Sequence, residues 1–206
     1  RRIAVFYDGT FFWRVSSYFK HKHPVSSFLD IDGLHDYIRQ RVAEFEAGGN
    51  INLCQIVESH FFRGRFSLKS VQAMVNPAKQ LEVDRYQDQI LMRSGVVAHY
   101  HPMNEVVNPP EEKGVDVWLA LEAYDLAVHK GFDVLVLFSG DSDFVPLVRK
   151  INGLGTRVLI IGADMEEGAK TSQRLINEAS YTLMLSEEVN ANAAKSDPFI
   201  NGLFRQ

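Results

Sequence analysis

Short, unbroken apolar runs recur along the chain between amphipathic stretches, and this alternation limits the available folds more than any other feature. Ile3-Ala4-Val5-Phe6-Tyr7 and Val134-Leu135-Val136-Leu137-Phe138 have no polar residue inside them, and 157–161 is nearly as apolar. A strand that is apolar at every position must be covered on both faces, as parallel strands are. Residues 53–62, 96–100 and 181–185 read as three further strands. The stretches between them read as helices. One covers 10–22. Another covers 32–47, capped by Asp30 or Asp32 and stopped by Gly48-Gly49. Residues 67–93 are helical in composition but must break or restart at Pro77. Val117, Leu121, Tyr124 and Val128 recur at helical spacing over 115–130, with Gly131 as a C-terminal cap. A helix over 142–154 tolerates Pro146 in its first turn, and another lies near 169–179. Strands alternating with helices predict a single α/β domain over 1–188 around a mostly parallel sheet. The Asn/Ala-rich residues 189–206 read as a peripheral tail.

Composition narrows the class. Of 206 residues, 46% are hydrophobic and 23% charged, which excludes a disordered or fibrous chain. No apolar run approaches the roughly 18–20 residues that cross a bilayer. The lone Cys54 forms no internal disulfide and builds no cysteine-rich zinc site, which suits a reducing, cytoplasmic compartment. The chain starts at Arg1 rather than at a methionine, so nothing is read from the missing signal peptide. The net charge of −4 hides an asymmetry. Residues 1–100 carry 13 basic and 10 acidic side chains, and residues 101–206 carry 9 and 16. Such a split marks distinct surfaces.

In open α/β sheets, ligands bind beyond the carboxyl ends of the strands, near the point where strand order reverses. Four carboxylates fall where that rule points. Asp8 ends the first strand, Asp141 and Asp143 follow the strand 134–138, and Asp116 opens the helix after Gly114. Each alone reads as a cap or turn residue. Together they repel one another unless a cation neutralises them, and oxygen-only ligands suit Mg²⁺ or Mn²⁺.

Three stretches carry a resemblance: Phe6-Tyr7-Asp8-Gly9-Thr10, Lys113-Gly114-Val115-Asp116-Val117, and Ser139-Gly140-Asp141-Ser142-Asp143-Phe144. In order and spacing they resemble the NYN domain, a branch of the PIN-like ribonuclease superfamily that includes the LabA-like (DUF88) proteins. The likeness covers roughly residues 2–185. It implies a Rossmann-like three-layer sandwich with strand order 3-2-1-4-5, whose acidic pocket holds divalent metal and cleaves RNA. By position, Asp8, Asp116, Asp141 and Asp143 are similar to the family's metal-binding acids. One departure stands out. The family's usual Asn, three residues after the first Asp, is here Phe11, with Thr10 as the nearest hydroxyl substitute. Glu82 and Asp84 are weak candidates for the further helix-borne acid of many PIN domains.

The resulting expectation is a Mg²⁺- or Mn²⁺-dependent ribonuclease. Substrate contacts are expected from Thr10, Lys113, Ser139, Ser142, Arg63 and Arg65. In His60-Phe61-Phe62-Arg63-Gly64-Arg65-Phe66, cations alternate with aromatic rings, which suits single-stranded RNA. The same pattern equally describes a strand end that buries its phenylalanines. Phe11, Phe12 and Trp13 read as core or interface, and His99 and His101 as surface residues. A homodimer is left open. The rival reading is a catalytically weakened or inactive domain that serves as an RNA-binding or regulatory scaffold, favoured by Phe11 and opposed by the four aspartates. A dehalogenase-type phosphatase is discarded because its nucleophilic Asp would fall on Phe6 and a further acid on Val145.

Overall fold

The computed structural model describes residues 1–165 and 169–205. Six strands form one parallel sheet in the order β3-β2-β1-β4-β5-β6, built from β1 (Arg2–Asp8), β2 (Gln55–Arg65), β3 (Val97–Pro102), β4 (Val134–Phe138), β5 (Arg157–Gly162) and β6 (Tyr181–Met184). The helices are α1 (Gly9–His21), α2 (Ile31–Glu46), α3 (Leu68–Gln72), α4 (Pro77–Arg93), α5 (Val115–Lys130), α6 (Val145–Gly153), α7 (Gln173–Glu178), α8 (Leu185–Ala191) and α9 (Pro198–Asn201). This is a three-layer α/β fold with the six strands read from the sequence, β6 extending the five-strand order that the resemblance implies.

The apolar runs split their side chains between two cores with the period of a strand. Ile3, Val5 and Tyr7 of β1, Val134, Val136 and Phe138 of β4, and Leu159 and Ile161 of β5 face the core closed by α1 and α2. Ala4 and Phe6, Leu135 and Leu137, and Val158 and Ile160 face the core under α5 and α6. Phe61 and Phe62 of β2 are buried on opposite faces, so the aromatic run serves packing. His99 also lies off the surface: its ring stacks on Phe62 at 4.2 Å and bonds His60 at 2.9 Å.

The structure adds two points. The α5 stripe noted for its helical spacing is not the one facing the sheet. Val115, Leu119, Ala123 and Ala127 are buried there, the two alanines being small enough to let the helix lie close. Val117, Leu121, Tyr124 and Val128 are exposed. The second concerns residues 189–206, read from the sequence as a peripheral tail. Leu203 and Ile200 are buried in the larger core, and Phe204 bridges to Leu29. The cause lies in α2, where a Cβ on Gly33 would stand 1.8 Å from the Gly202 carbonyl, so glycine is needed for the tail to close over the helix. Arg41 clamps the join, at 2.6 Å from Asp197 and 3.2 Å from Glu188. The tail is therefore integral to the fold. Leu203→Ala is expected to cost about 2–5 kcal/mol in urea unfolding, whereas a peripheral residue would stay within about 0.5 kcal/mol.

Candidate active site at the carboxyl ends of β1 and β4

Strand order reverses between β1 and β4, whose register pairs Tyr7 with Phe138. The next residues on each strand are Asp8 and Ser139, and they meet: the Ser139 hydroxyl donates to Asp8 Oδ2 at 3.0 Å. Asp8 Oδ1 accepts the backbone N–H groups of Thr10 and Phe11 at 3.1 and 3.0 Å, capping α1. Three donors would lower its pKa, yet burial outweighs them and raises it, with the charge of Glu112 adding to the rise.

A cleft of about 880 Å³ opens above this junction. Asp8, Asp116 and Asp141 line it, with Thr10, Phe11, Ser142 and Arg63. Asp143 lies just behind: its N–H bonds Asp141 Oδ1 at 2.9 Å, capping the 3₁₀ turn Ser142–Phe144. Ser139 is buried below, where it also accepts the Asp141 N–H at 3.3 Å. Three expected substrate contacts are not among the lining residues described, the buried Ser139 being one. Lys113 is exposed outside the cleft, and Arg65 stacks on Tyr100 at 3.6 Å and pairs with Asp88 at 2.7 Å. Arg63 does reach the cleft, but it is held by Gln87 at 2.8 Å and lies over Trp13.

Sequence reasoning missed a fifth acid. Glu112 accepts the Thr10 hydroxyl at 2.6 Å and the Gly64 N–H at 2.7 Å, so it is tethered to both α1 and β2. It immediately precedes the Lys113-Gly114 motif, and that adjacency was the available signal. Asp84, by contrast, bonds Gln80, and Glu82 is exposed; neither lines the cleft. Arg14 and Lys170 add cations to the rim. Lys170 lies 3.8 Å from Asp164, and the Arg14 side chain has no hydrogen bond or ion pair among the described residues.

Electrostatics link the acids. Burial raises the Asp116 pKa to about 6, and Asp8, Asp141, Glu112 and Asp143 add to the rise. Among the described residues, no three His, Cys, Asp or Glu side chains stand close enough to form a ready-made metal group. The carboxylates thus feel one another's charge without converging. Their donor chemistry, oxygen only, fits a hard divalent cation.

A family model described as the NYN domain matches residues 2–186. The chain belongs to the NYN domain family. An uncharacterized protein of Methanocaldococcus jannaschii is 33% identical over 94 residues, which are 45% of this chain and 38% of that protein. The match thus spans well under half of the archaeal relative. A protein of unknown function from Vibrio parahaemolyticus has a similar fold, with TM-score 0.58 at 21% identity over 89% of this chain and 91% of that one. Among the described residues no helix is long and apolar enough to cross a membrane.

The raised Asp116 pKa sets a sign. The folded state holds this proton more tightly than the unfolded chain, so stability is lost as pH rises from the unfolded value near 4 to about 6. Asp116 is only partly withdrawn from solvent at the cleft, and solvent screening keeps the effect modest. In the metal-free protein, Asp116→Asn is expected to raise the melting temperature above pH 6 and to leave it nearly unchanged near pH 4. Equal shifts at both pH values would show that charge repulsion is not the cause.

Proposed function

We propose that this protein is a divalent-metal-dependent ribonuclease that hydrolyses RNA phosphodiester bonds at the cleft above β1 and β4. The observation that carries this reading is the gathering of Asp8, Asp116, Asp141, Asp143 and Glu112 around one opening whose rim bears Arg14, Arg63 and Lys170. NYN family membership supports a nuclease class. The finer LabA-like assignment rests on the KGVDV and SGDSDF motifs.

Asp8, Asp116, Asp141 and Asp143 are the residues that would hold Mg²⁺ or Mn²⁺, closing around the ion from their present spacing. When bound, such an ion supplies charge stabilisation at phosphate and lowers the pKa of a coordinated water. The chain's own groups do the rest. Ser139 and the α1 N–H groups hold the Asp8 carboxylate in one orientation. Arg14, Arg63 and Lys170 track phosphates, Ser142 is a neutral donor at the same rim, and Phe66 offers apolar ring surface to unpaired bases. RNA is therefore expected as a single strand, met in the cytoplasm.

A second reading has its own observation. The position usually held by Asn is filled by the Phe11 ring, buried against Phe138 and Gly140. The Thr10 hydroxyl is committed to Glu112, so it does not replace that amide. A scaffold that binds RNA without cutting it would look the same.

Labelled single-stranded RNA incubated with the purified protein decides between them. Cleavage with Mn²⁺ that EDTA stops, and that Asp141→Asn weakens by more than the ~10–100-fold cost of losing an outer-shell ligand partner, supports the nuclease. Binding without cleavage in every metal supports the scaffold. Glu112→Gln is expected to lower cleavage less than Asp141→Asn does, because it keeps the bond from Thr10 or Gly64 while removing a charge.

A further inference from the structure

Beyond the cleft, cations lie over aromatic rings in a line that runs along α1, α4 and the C-terminal segment. Arg63, which lines the cleft, stands 5.6 Å from the centre of the Trp13 ring. Gln87 of α4 accepts from both the Trp13 indole and Arg63, at 3.1 and 2.8 Å, and so carries the line from β2 to α4. Trp13 meets Phe28 edge to face at 6.3 Å. Lys20 and Arg205 lie over Phe28 at 5.6 and 5.8 Å, and Arg205 also lies over Tyr86 at 5.4 Å. Cation–ring pairs occur about once per 70–80 residues, which predicts about three in a whole chain of 206. Four on one stretch of surface is a concentration.

The line ends in a hollow of about 480 Å³ between α4 and the C-terminal segment, a volume within the range of small-ligand sites. Tyr86, Arg93 and Arg205 line it, Arg93 lying about 9 Å beyond Gln87 along α4. Tyr86 is 52% exposed and the Arg93 side chain 71%, so ring and guanidinium both face solvent. Arg93 approaches Asp32 only to 4.0 Å. Arg205 bonds the Tyr86 hydroxyl at 3.3 Å and has no ion pair among the described residues. Asp30 is the one acid among the described lining residues, and its Oδ2 caps α2 through the Gly33 N–H. Backbone bonds fix the C-terminal segment here: Arg205 N–H donates to the Phe28 carbonyl at 3.1 Å, and Asp30 N–H to the Leu203 carbonyl at 2.8 Å. We propose that this line is a track for single-stranded RNA, along which a strand leaving the cleft continues to a second subsite at Tyr86, Arg93 and Arg205. The inference rests on the RNA reading of the cleft and adds the course of the strand. Exposed rings stack unpaired bases and cations meet phosphates, with no readout of sequence. Bases inside a double helix are closed to such stacking, so the track selects by strandedness.

Fluorescence anisotropy of labelled RNA in EDTA, where a metal-dependent enzyme does not cut, tests it. Strands of about 4 and about 12 nucleotides bracket the reach of a single-strand site. The longer strand is expected to bind more tightly to the full chain. The double variant Tyr86→Ala with Arg93→Gln, its fold checked by circular dichroism, is expected to lose ~5–150-fold in affinity for the longer strand, the range of one base–ring stack. Its affinity for the shorter strand is expected to match that of the wild type. The slope of log affinity against log salt is expected to fall by about 0.7 for the lost phosphate contact. Lys150→Gln, on α6 in the opposite helical layer, serves as the charge control. Equal affinity for the two strands, equal losses on both, or as large a slope change in Lys150→Gln overturns the track. RNA cleavage alongside any of those results leaves the nuclease reading standing. Length-dependent binding that the double variant abolishes upholds the track even where nothing is cut.

Discussion

The hydrogen bond from Ser139 to Asp8 is the contact on which the site depends. It ties the ends of the two central strands together at the place where strand order reverses. The same carboxylate caps α1, so one side chain fixes a strand end, a helix start and the adjacent loop. Its second oxygen is held by a serine that itself receives the Asp141 N–H. The acids therefore share a hydrogen-bonded base before any ligand enters. Their mutual repulsion acts against that frame. The fold tolerates the strain because two fully packed cores grip β1 and β4 from both sides.

Much of this was legible in the sequence because burial on both faces leaves a plain mark. Every residue of β4 is apolar, and every residue of β4 is buried. Asp8 and Asp141 could be placed from strand ends alone, since parallel sheets gather their carboxyl ends on one side. What escaped notice depended on contacts far apart in the chain. Glu112 joins the cleft through Thr10 and Gly64, at separations of 102 and 48 residues, and no local pattern announces either bond. The residues after 189 looked peripheral because their composition is polar, yet Ile200 and Leu203 are buried against a surface that local reading cannot see. On α5 the helical period was legible but the buried face was not, because alanines mark the close-packed side less visibly than valine and leucine mark the open one. Arg65 was misplaced for a related reason: the ring and carboxylate that capture it, Tyr100 and Asp88, come from β3 and α4.

Charge asymmetry along the chain takes on spatial meaning in the cleft. Asp116, Asp141 and Glu112, from the acidic half, face Arg14 and Arg63, from the basic half, across one opening. Arg63 is buried, and desolvation lowers its pKa against the pull of Glu112 and Asp84. Its guanidinium nonetheless stays charged, as arginine does in proteins. A net charge of −4 therefore says little about affinity for a polyanion, because the field near the site comes from the separation of charges rather than from their sum.

Gly64 carries a consequence of its own. A Cβ there would stand 2.4 Å from Met103 Sδ and 2.6 Å from Glu112 Cγ, while the Gly64 N–H holds the same glutamate. At this half-buried sheet end the atoms that a Cβ would meet belong to flexible side chains, so those side chains, rather than the backbone, would have to move. Sequence drift at residue 64 would not unfold the protein; it would retune the acidity of a cleft by displacing one carboxylate. The backbone at that point works as a spacer gauge, setting how near the fifth acid stands to the other four.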